Sequence, residues 1–125
     1  MRYMLMHKVD EQDPRSHNPS PEFIQKMGGF IQEAAQAGVL LVGEGLRPTT
    51  DGTSRIRVEN GKKTVTDGPF IETKELIAGF AILQVRSQEE AMEWGRRFVD
   101  LFDGELDYLE VDIRPVSEFE PEPAS

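Results

Sequence analysis

The densest group of side chains able to do chemistry lies between residues 67 and 75. Asp67-Gly68-Pro69 is a turn signal, because glycine accepts positive φ angles and proline fixes φ while removing a backbone donor. Glu72, Lys74 and Glu75 follow within a few residues. A carboxylate beside a lysine can act as a general base, with the lysine stabilising developing charge, when burial or neighbours shift its pKa. The alternative is a solvated turn whose charges pair with one another.

The position of this segment favours a site. An uncharged apolar run, Leu76 to Leu83, follows directly and is typical of a strand buried on both faces. Loops that a rigid scaffold positions carry much of protein function, and charges beside a buried strand are costly unless they are paired or used. We therefore predict three catalytic candidates in the segment: Glu72, Lys74 and Glu75. Two further residues of the segment are predicted to bind a ligand: Asp67 and Phe70.

A second candidate group surrounds the stretch Gly43-Glu44-Gly45, with Arg47 two residues beyond it. No helix begins after these glycines, so they do not form a dinucleotide-binding loop. The simpler interpretation is a bend that lets a strand leave the sheet. If this turn and the 67–75 segment lie at the same end of the sheet, Glu44 and Arg47 would line the same cleft as that segment, and we predict both as binding residues.

The chain has two histidines and no cysteine. His7 would share a strand face with apolar neighbours, which favours a histidine satisfied within the core, and we also keep it as a binding candidate near the strand end. His17 lies in a polar loop. The two are too far apart for a recognisable metal-ligand spacing, although a mixed histidine–carboxylate site stays open. No phosphate loop, serine nucleophile elbow or zinc-helix motif is present, so neither a metal nor a cofactor is expected.

The elements that would position these groups follow the order β-α-β, a hairpin, then β-α-β. Ser20-Pro21 starts one helix, Ser87 to Glu90 forms a capping box for another, and Asn60-Gly61 predicts a type I′ hairpin turn. The predicted strands are 2–9, 39–42, 76–85 and 108–115, with the hairpin at 55–66. This order predicts a ferredoxin-like α+β fold, in which two helices cover one face of an antiparallel sheet and a β-hairpin is inserted. Gly28-Gly29 inside the first helix suggests close packing on the sheet or a local bend.

The pattern of the strands also predicts a dimer. Residues 2–9 and 76–85 are apolar on both faces, although two helices can cover only one face of the sheet. An antiparallel sheet with one face in water alternates apolar and polar residues instead. We therefore expect the second face to pack on another subunit, as a twofold homodimer.

Length, composition and charge narrow the classes of protein. The 125 residues, 38% hydrophobic and 30% charged, suit one globular domain. A net charge of −9 without a basic stripe argues against direct nucleic-acid binding, since phosphate neutralisation drives such affinity. No signal peptide or membrane span is recognisable, so a cytoplasmic protein without membrane contact is expected. Residues 117–125 form an acidic, proline-containing tail that we expect to be flexible.

Three segments resemble the YCII-related proteins of the DGPF type: Gly43 to Pro48, Thr66 to Glu75 and Ile77 to Phe80. Val111 to Val116 also resembles the end of that family, so the resemblance covers roughly residues 1 to 116. It implies a ferredoxin-like subunit that pairs into a dimeric α+β barrel. The wider superfamily includes muconolactone-isomerase-like and small monooxygenase-like enzymes, with pockets between sheet and helices. The resemblance also implies bacterial genes beside extracytoplasmic-function sigma factors, although the sequence itself shows no sigma factor contact.

One departure from the family pattern bears on catalysis. Enzyme-like YCII relatives carry a histidine–aspartate pair on the first helix, whereas this chain has Met27 and Gln36 at the matching positions. Neither side chain transfers a proton at neutral pH, so the pair cannot be carried over.

Three hypotheses follow. The leading one is a small-molecule-binding dimer of accessory or regulatory type, associated with extracytoplasmic-function sigma factor systems, whose pocket is lined by the two turns and His7. The rival is a cofactor-free isomerase, lyase or oxygenase with Glu72 or Glu75 as base and Lys74 or Arg47 stabilising an oxyanion. In the third, the 67–75 segment is structural and locks the hairpin onto the dimer. The three hypotheses differ in whether the protein is an enzyme, and the sequence names no particular ligand.

Overall fold

Six strands and two α-helices make up the described part of the chain, which is residues 1–72 and 74–118 of a computed structural model. In chain order they are β1 (Arg2–Val9), α1 (Pro21–Gln36), β2 (Leu40–Gly45), β3 (Ser54–Glu59), β4 (Lys62–Asp67), β5 (Ile77–Gln84), α2 (Gln88–Asp100) and β6 (Leu109–Pro115). A short 3-10 turn at Pro14–Ser16 interrupts the loop between β1 and α1. Of the acidic tail predicted at 117–125, only residues 117 and 118 are described, and Glu118 pairs with Arg2.

Strands β1, β2, β5 and β6 form one antiparallel sheet in the order β2-β5-β1-β6. Strands β3 and β4 form a separate two-stranded hairpin. Each β-α-β half contributes one central and one edge strand to the four-stranded sheet. This topology confirms the predicted ferredoxin-like α+β class with an inserted hairpin. No helix in the described residues is long and apolar enough to cross a membrane.

Local sequence signals set the ends of the helices. Ser20 caps α1, its hydroxyl accepting from the Phe23 backbone N–H at 3.0 Å, and Gly38 follows the helix at φ 72°. Ser87 caps α2 by accepting from the Glu90 N–H at 3.1 Å. The Glu90 carboxylate accepts from the Arg86 N–H, so only one half of the predicted capping box forms.

The hairpin turn has the geometry that its sequence predicts. Asn60 and Gly61 both have positive φ angles, 51° and 76°, as a type I′ turn requires. Ile56 lies opposite Val65 across the ladder, with Val58 two residues further along the same face. All three side chains are more than 60% exposed, so the hairpin shows an apolar face that nothing in the described chain covers.

Two glycine stretches have roles that differ from the predicted ones. A methyl group added at Gly28 or Gly29 would meet no atom within 4 Å, so close packing on the sheet is wrong as their explanation. The stretch Gly43-Glu44-Gly45 is not a bend, because β2 continues through it and pairs Gly43 with Ala81 and Gly45 with Gly79. Backbone pairing keeps these glycines in the strand in spite of their low strand propensity.

Candidate functional site

A cavity of about 340 Å³ lies between the sheet and the two helices. Its floor is the face of the sheet that carries Leu5, His7 and Val9 of β1. Both helices and the loops at one end of the sheet supply the walls and the mouth. Ligand pockets in proteins usually begin at about 300 Å³, so this volume suits a small organic molecule.

The cavity has room because part of the floor carries very small residues. On the face that β2 and β5 turn toward the helices, these are Gly43, Gly45, Gly79 and Ala81, whereas Leu40 and Leu83 lie further along the same strands. A methyl group placed on Gly45 would meet nothing within 4 Å. Large side chains at these positions would fill the gap between sheet and helices, as they do in an ordinary core.

Five aromatic residues form the walls, listed here with their helices: Phe23 and Phe30 from α1, Trp94 and Phe98 from α2, and Phe102 just beyond α2. Ring centroids are 4.7 Å apart for Phe23 and Phe102 and 5.1 Å apart for Phe98 and Phe102. Such spacings and tilted planes are those of favourable aromatic pairs. The walls are therefore both part of the packing and the inner surface of the cavity.

His7 is the polar side chain at the centre of the floor. Its ring lies 5.3 Å from the Phe98 ring and 5.8 Å from the Phe102 ring, and it covers Gly79, where a methyl group would overlap it. Burial lowers the pKa of His7 from 6.5 to about 4, so the imidazole is neutral at neutral pH. Within the described residues, no protein group hydrogen-bonds either ring nitrogen, and neither nitrogen is sealed from the surrounding space. His7 is therefore not a histidine satisfied by the core.

The charged residues at the mouth hold the loops together. Glu11 accepts from the backbone N–H and the hydroxyl of Thr49, at 2.8 and 2.6 Å. Glu105 accepts from the Ser20 hydroxyl at 2.9 Å. Arg15 pairs with Asp13 and Asp107, at 2.8 Å each, and Arg47 pairs with Asp51 at 3.2 Å. The charged side chains at the mouth are thus already hydrogen-bonded or paired with other residues of the chain.

Two of the predicted binding residues line the cavity less directly than His7. Glu44 pairs with Phe80, which pairs with Met6, and these residues lie on the sheet face opposite to His7. Glu44 therefore reaches the cavity through its backbone, whose carbonyl oxygen lies next to Gly79. Arg47 lies at the mouth, and its side chain is 82% exposed.

The 67–75 segment contributes none of the cavity lining among the described residues, which here exclude Thr73. Arg55 of β3 covers the Phe70 ring, with its guanidinium carbon 3.9 Å from the ring centroid, and also pairs with Glu72 at 3.3 Å. Asp67 accepts from the Ser54 hydroxyl at 3.0 Å. The segment is therefore fastened to the hairpin, and the predicted common cleft with His7, Glu44 and Arg47 is not what the geometry provides.

The carboxylate geometry in this segment does not suit a general base. A hydrogen bond from its own backbone N–H, followed by the hydrogen bond from Arg55, lowers the pKa of Glu72. A lowered pKa makes a carboxylate a weaker base. Glu75 is exposed, and the Lys74 ammonium lies 5.6 Å from the Tyr108 ring. The Tyr108 hydroxyl donates to the Glu110 carboxylate at 2.9 Å and lies 3.3 Å from the Lys74 carbonyl.

Gly68 explains why the Asp-Gly-Pro turn is needed for the fold. A side chain at Gly68 would overlap the backbone carbonyl of Thr49, and its N–H donates to the Thr53 carbonyl at 2.7 Å. Thr49 is buried and in turn held by Glu11. Its hydroxyl also accepts from the Phe70 N–H at 3.3 Å. The turn, the loop after β2 and the loop after β1 thus meet at one buried threonine.

A comparison with protein families decides the relationship. The family model of the YCII-related domain matches residues 1–117. The chain belongs to the YCII-related family. This YCII-related chain is also similar to an uncharacterized protein of Rhizobium meliloti (strain 1021), with 34% identity over 98 residues, which is 78% of this chain and 76% of that one. The relative's name assigns no activity.

The two residues that occupy the positions of the expected histidine–aspartate pair have separate surroundings. Met27 lines the cavity, and Gln36 is exposed at the last turn of α1. The thioether of Met27 extends the apolar wall and offers no transferable proton. No group of three histidine, aspartate or glutamate side chains in the described residues is arranged to hold a metal ion.

The aromatic wall is the part of this YCII-related site that sequence reasoning missed. Trp94 and the phenylalanines have helical spacing, which by itself is typical of an ordinary core. The signal that identifies a cavity is the combination of aromatic helix faces with glycines on the facing strands, at Gly43, Gly45 and Gly79. Each feature alone is typical of packing or of turns.

Proposed function

We propose that this YCII-related protein binds a small organic molecule in the cavity between its sheet and its helices, as a homodimer of accessory or regulatory type. The observation that carries the proposal is a cavity of about 340 Å³ with aromatic walls and one neutral histidine, His7, whose ring nitrogens have no protein partner among the described residues. Apolar lining with a few polar groups is the usual composition of ligand pockets.

The experiment is a thermal-shift screen of a metabolite library on the wild type and on Gly45→Ile. A side chain at position 45 would extend into open space, so isoleucine there would fill part of the cavity. Isoleucine is also a good strand former, so β2 should tolerate it. We expect ligands to raise the melting temperature of the wild type and to have no effect on Gly45→Ile. The matched control is Gly28→Ile, which places the same side chain outside the cavity and should keep every hit. If the same ligands also raise the melting temperature of Gly45→Ile, the proposal is contradicted.

The dimer is supported by two apolar surfaces, one of which the described chain covers only partly and the other of which it leaves exposed. The sheet face opposite to the helices carries Met4, Met6, Phe80 and Ile82 at paired positions of β1 and β5. The hairpin adds the exposed face defined above, and an isolated two-stranded hairpin is marginally stable by itself. A second copy would cover both surfaces. Light scattering after size exclusion should give twice the 14.1 kDa chain mass at micromolar concentration; a monomer there contradicts the dimer.

The second candidate function is a cofactor-free isomerase, lyase or oxygenase with Glu72 or Glu75 as base and Lys74 as the charge-stabilising group. The concentration of ionisable groups favours it, whereas the Arg55 contacts and the lowered pKa of Glu72 work against it. We rank it below the binding function for this reason.

Glu72→Gln separates the two candidates. Because the Arg55–Glu72 pair is partly exposed, its loss should change the free energy of unfolding only slightly. Ligand binding in the cavity should stay within twofold of the wild type, measured by titration with a ligand from the screen. Glu59→Gln, an exposed substitution of the same kind at the end of β3, is the control. If Glu72→Gln alone abolishes binding or turnover, the site lies in the 67–75 segment.

The link to an extracytoplasmic-function sigma factor rests on the family resemblance alone. Its test is co-purification of the dimer with a sigma factor encoded beside its gene, with and without a cavity ligand. Retention of the sigma factor in one of the two states is the result expected of a ligand-responsive regulator. If the dimer retains no sigma factor either with or without the ligand, the regulatory link is contradicted, and an accessory role without sigma factor contact is what is left.

A further inference from the structure

We infer that the cavity selects an uncharged, planar ring compound that carries one hydroxyl group, with that hydroxyl placed on His7. The inference rests on the proposed binding function and names the chemical class of the ligand.

The shape of the cavity favours a flat ring. Phe23, Phe98 and Phe102 form a continuous aromatic wall, and the glycine backbone of β2 and β5 forms the opposite side. A ring between them would contact aromatic faces or edges on one side and, on the other, a strand surface whose side chains are small at Gly43, Gly45 and Ala81. Such contacts stabilise flat ligands through both apolar burial and aromatic pairing.

The charges around the cavity argue against an anionic ligand. Both arginines of the lining, Arg15 and Arg47, are paired with aspartates and lie at the mouth. A carboxylate or phosphate in the interior would lose its water without gaining a cationic partner, which is costly. Glu11 and Glu105 at the mouth add further repulsion for an anion.

A cationic ligand is disfavoured by the same interior. Burial alone keeps the imidazole of His7 in its neutral form, so this environment already rejects a positive charge between the Phe98 and Phe102 rings. A ligand ammonium group at that place would meet the same desolvation cost. The carboxylates of Glu11 and Glu105 are at the mouth and engaged by Thr49 and Ser20.

His7 sets the preference for a hydroxyl. A neutral imidazole has one N–H donor and one acceptor nitrogen, and a hydroxyl can donate to the acceptor or accept from the donor. Within the described residues neither nitrogen of His7 has a protein partner, so an apolar ligand covering the ring would leave both polar atoms unpaired. Leaving a buried polar group unpaired costs more than a typical hydrogen bond contributes.

The test is a matched series of four naphthalene derivatives, titrated against the wild-type dimer by calorimetry or by ligand fluorescence. 2-Naphthol carries the uncharged hydroxyl, naphthalene lacks it, 2-naphthoate is an anion, and 2-naphthylmethylammonium is a cation. We expect 2-naphthol to bind roughly tenfold more tightly than naphthalene, which corresponds to one hydrogen bond. Both ions should bind about 100-fold more weakly than 2-naphthol, because their charge loses its water.

Two variants and one control variant locate the effect. His7→Phe should bring 2-naphthol and naphthalene to similar affinities, because it removes both the partner of the hydroxyl and the ring nitrogens that naphthalene leaves unpaired. Gly45→Ile should abolish the binding of both, and Gly28→Ile should bind like the wild type. Preservation of the folded state is checked for each variant by its melting temperature, so a loss of binding is not confused with unfolding.

The outcomes separate this inference from the proposed function. An ion that binds as tightly as 2-naphthol, an equal affinity for 2-naphthol and naphthalene, or no binding of any of the four overturns the ligand class. The binding function then still stands if a library ligand binds the wild type and is lost in Gly45→Ile. If library ligands bind Gly45→Ile as well as the wild type, or the library gives no ligand, the cavity function itself fails.

Discussion

Gly68→Ala is expected to lower the free energy of unfolding by about 3 kcal/mol, the upper part of the range for overpacked interior sites. The new methyl group would overlap the Thr49 carbonyl, which is backbone and cannot move by changing a side-chain rotamer. Either the turn or the loop after β2 must shift. The shift would also disturb the hydrogen bonds of Gly68 to Thr53 and of Glu11 to Thr49. Urea unfolding monitored by Trp94 fluorescence measures the loss.

The control for this prediction is Gly28→Ala, where a methyl group meets open space on an exposed helix. That variant should gain up to about 1 kcal/mol, because glycine is the poorer helix former. A Gly68→Ala protein with the unfolding midpoint of the wild type would show that the turn adapts easily. The Asp-Gly-Pro stretch would then not be the structural junction inferred from Thr49.

The stability loss expected for Gly68→Ala indicates a structural role for the 67–75 segment. Polar residues at 67–75 next to an apolar strand suggested chemistry, yet their contacts run to Arg55, Ser54 and Thr49. A sequence reports the types of residues in a turn but not their partners, which come from a hairpin and loops elsewhere in the chain. The same polar pattern therefore arises from a site and from a junction between loops.

The fold was easier to predict than the cavity, because its signals are local. The caps at Ser20 and Ser87, the Asn60-Gly61 turn and the strand patterns each depend on a few neighbouring residues. The cavity depends instead on what faces what across the sheet. Gly43 and Gly45 suggested a bend because the sequence does not reveal that they pair with Ala81 and Gly79.

For His7, one part of its environment was predictable from the sequence and another part was not. Its strand and its face were predictable from the pattern of β1, and the helix-side location agrees with that pattern. Its lack of a protein partner among the described residues was not predictable, since it results from Gly79 beneath the ring and from Phe98 and Phe102 beside it. A histidine in that environment has a measurable consequence for stability.

His7→Phe is expected to remove about 3 kcal/mol of the loss in stability that the wild type shows between pH 7 and pH 4. In the unfolded chain His7 takes up a proton near its ordinary pKa of 6.5, whereas burial in the folded protein delays this to a pKa of about 4. The unfolded state therefore binds more protons in this window, and folding becomes less favourable as the pH falls from 6.5 to 4. Below pH 4 the contribution levels off, because the folded state is protonated as well.

The measurement is urea unfolding at several pH values for the wild type, His7→Phe and His17→Gln. Carboxylates titrate in the same range, but they are common to all three proteins, so the difference between wild type and His7→Phe isolates the imidazole. His17 is exposed at the mouth, and His17→Gln is the control for replacing a histidine that does not lie on the cavity floor. Parallel curves for wild type and His7→Phe would mean that the imidazole is hydrated or paired in solution. The cavity would then lack the neutral, half-buried histidine on which its preference for an uncharged hydroxyl compound depends.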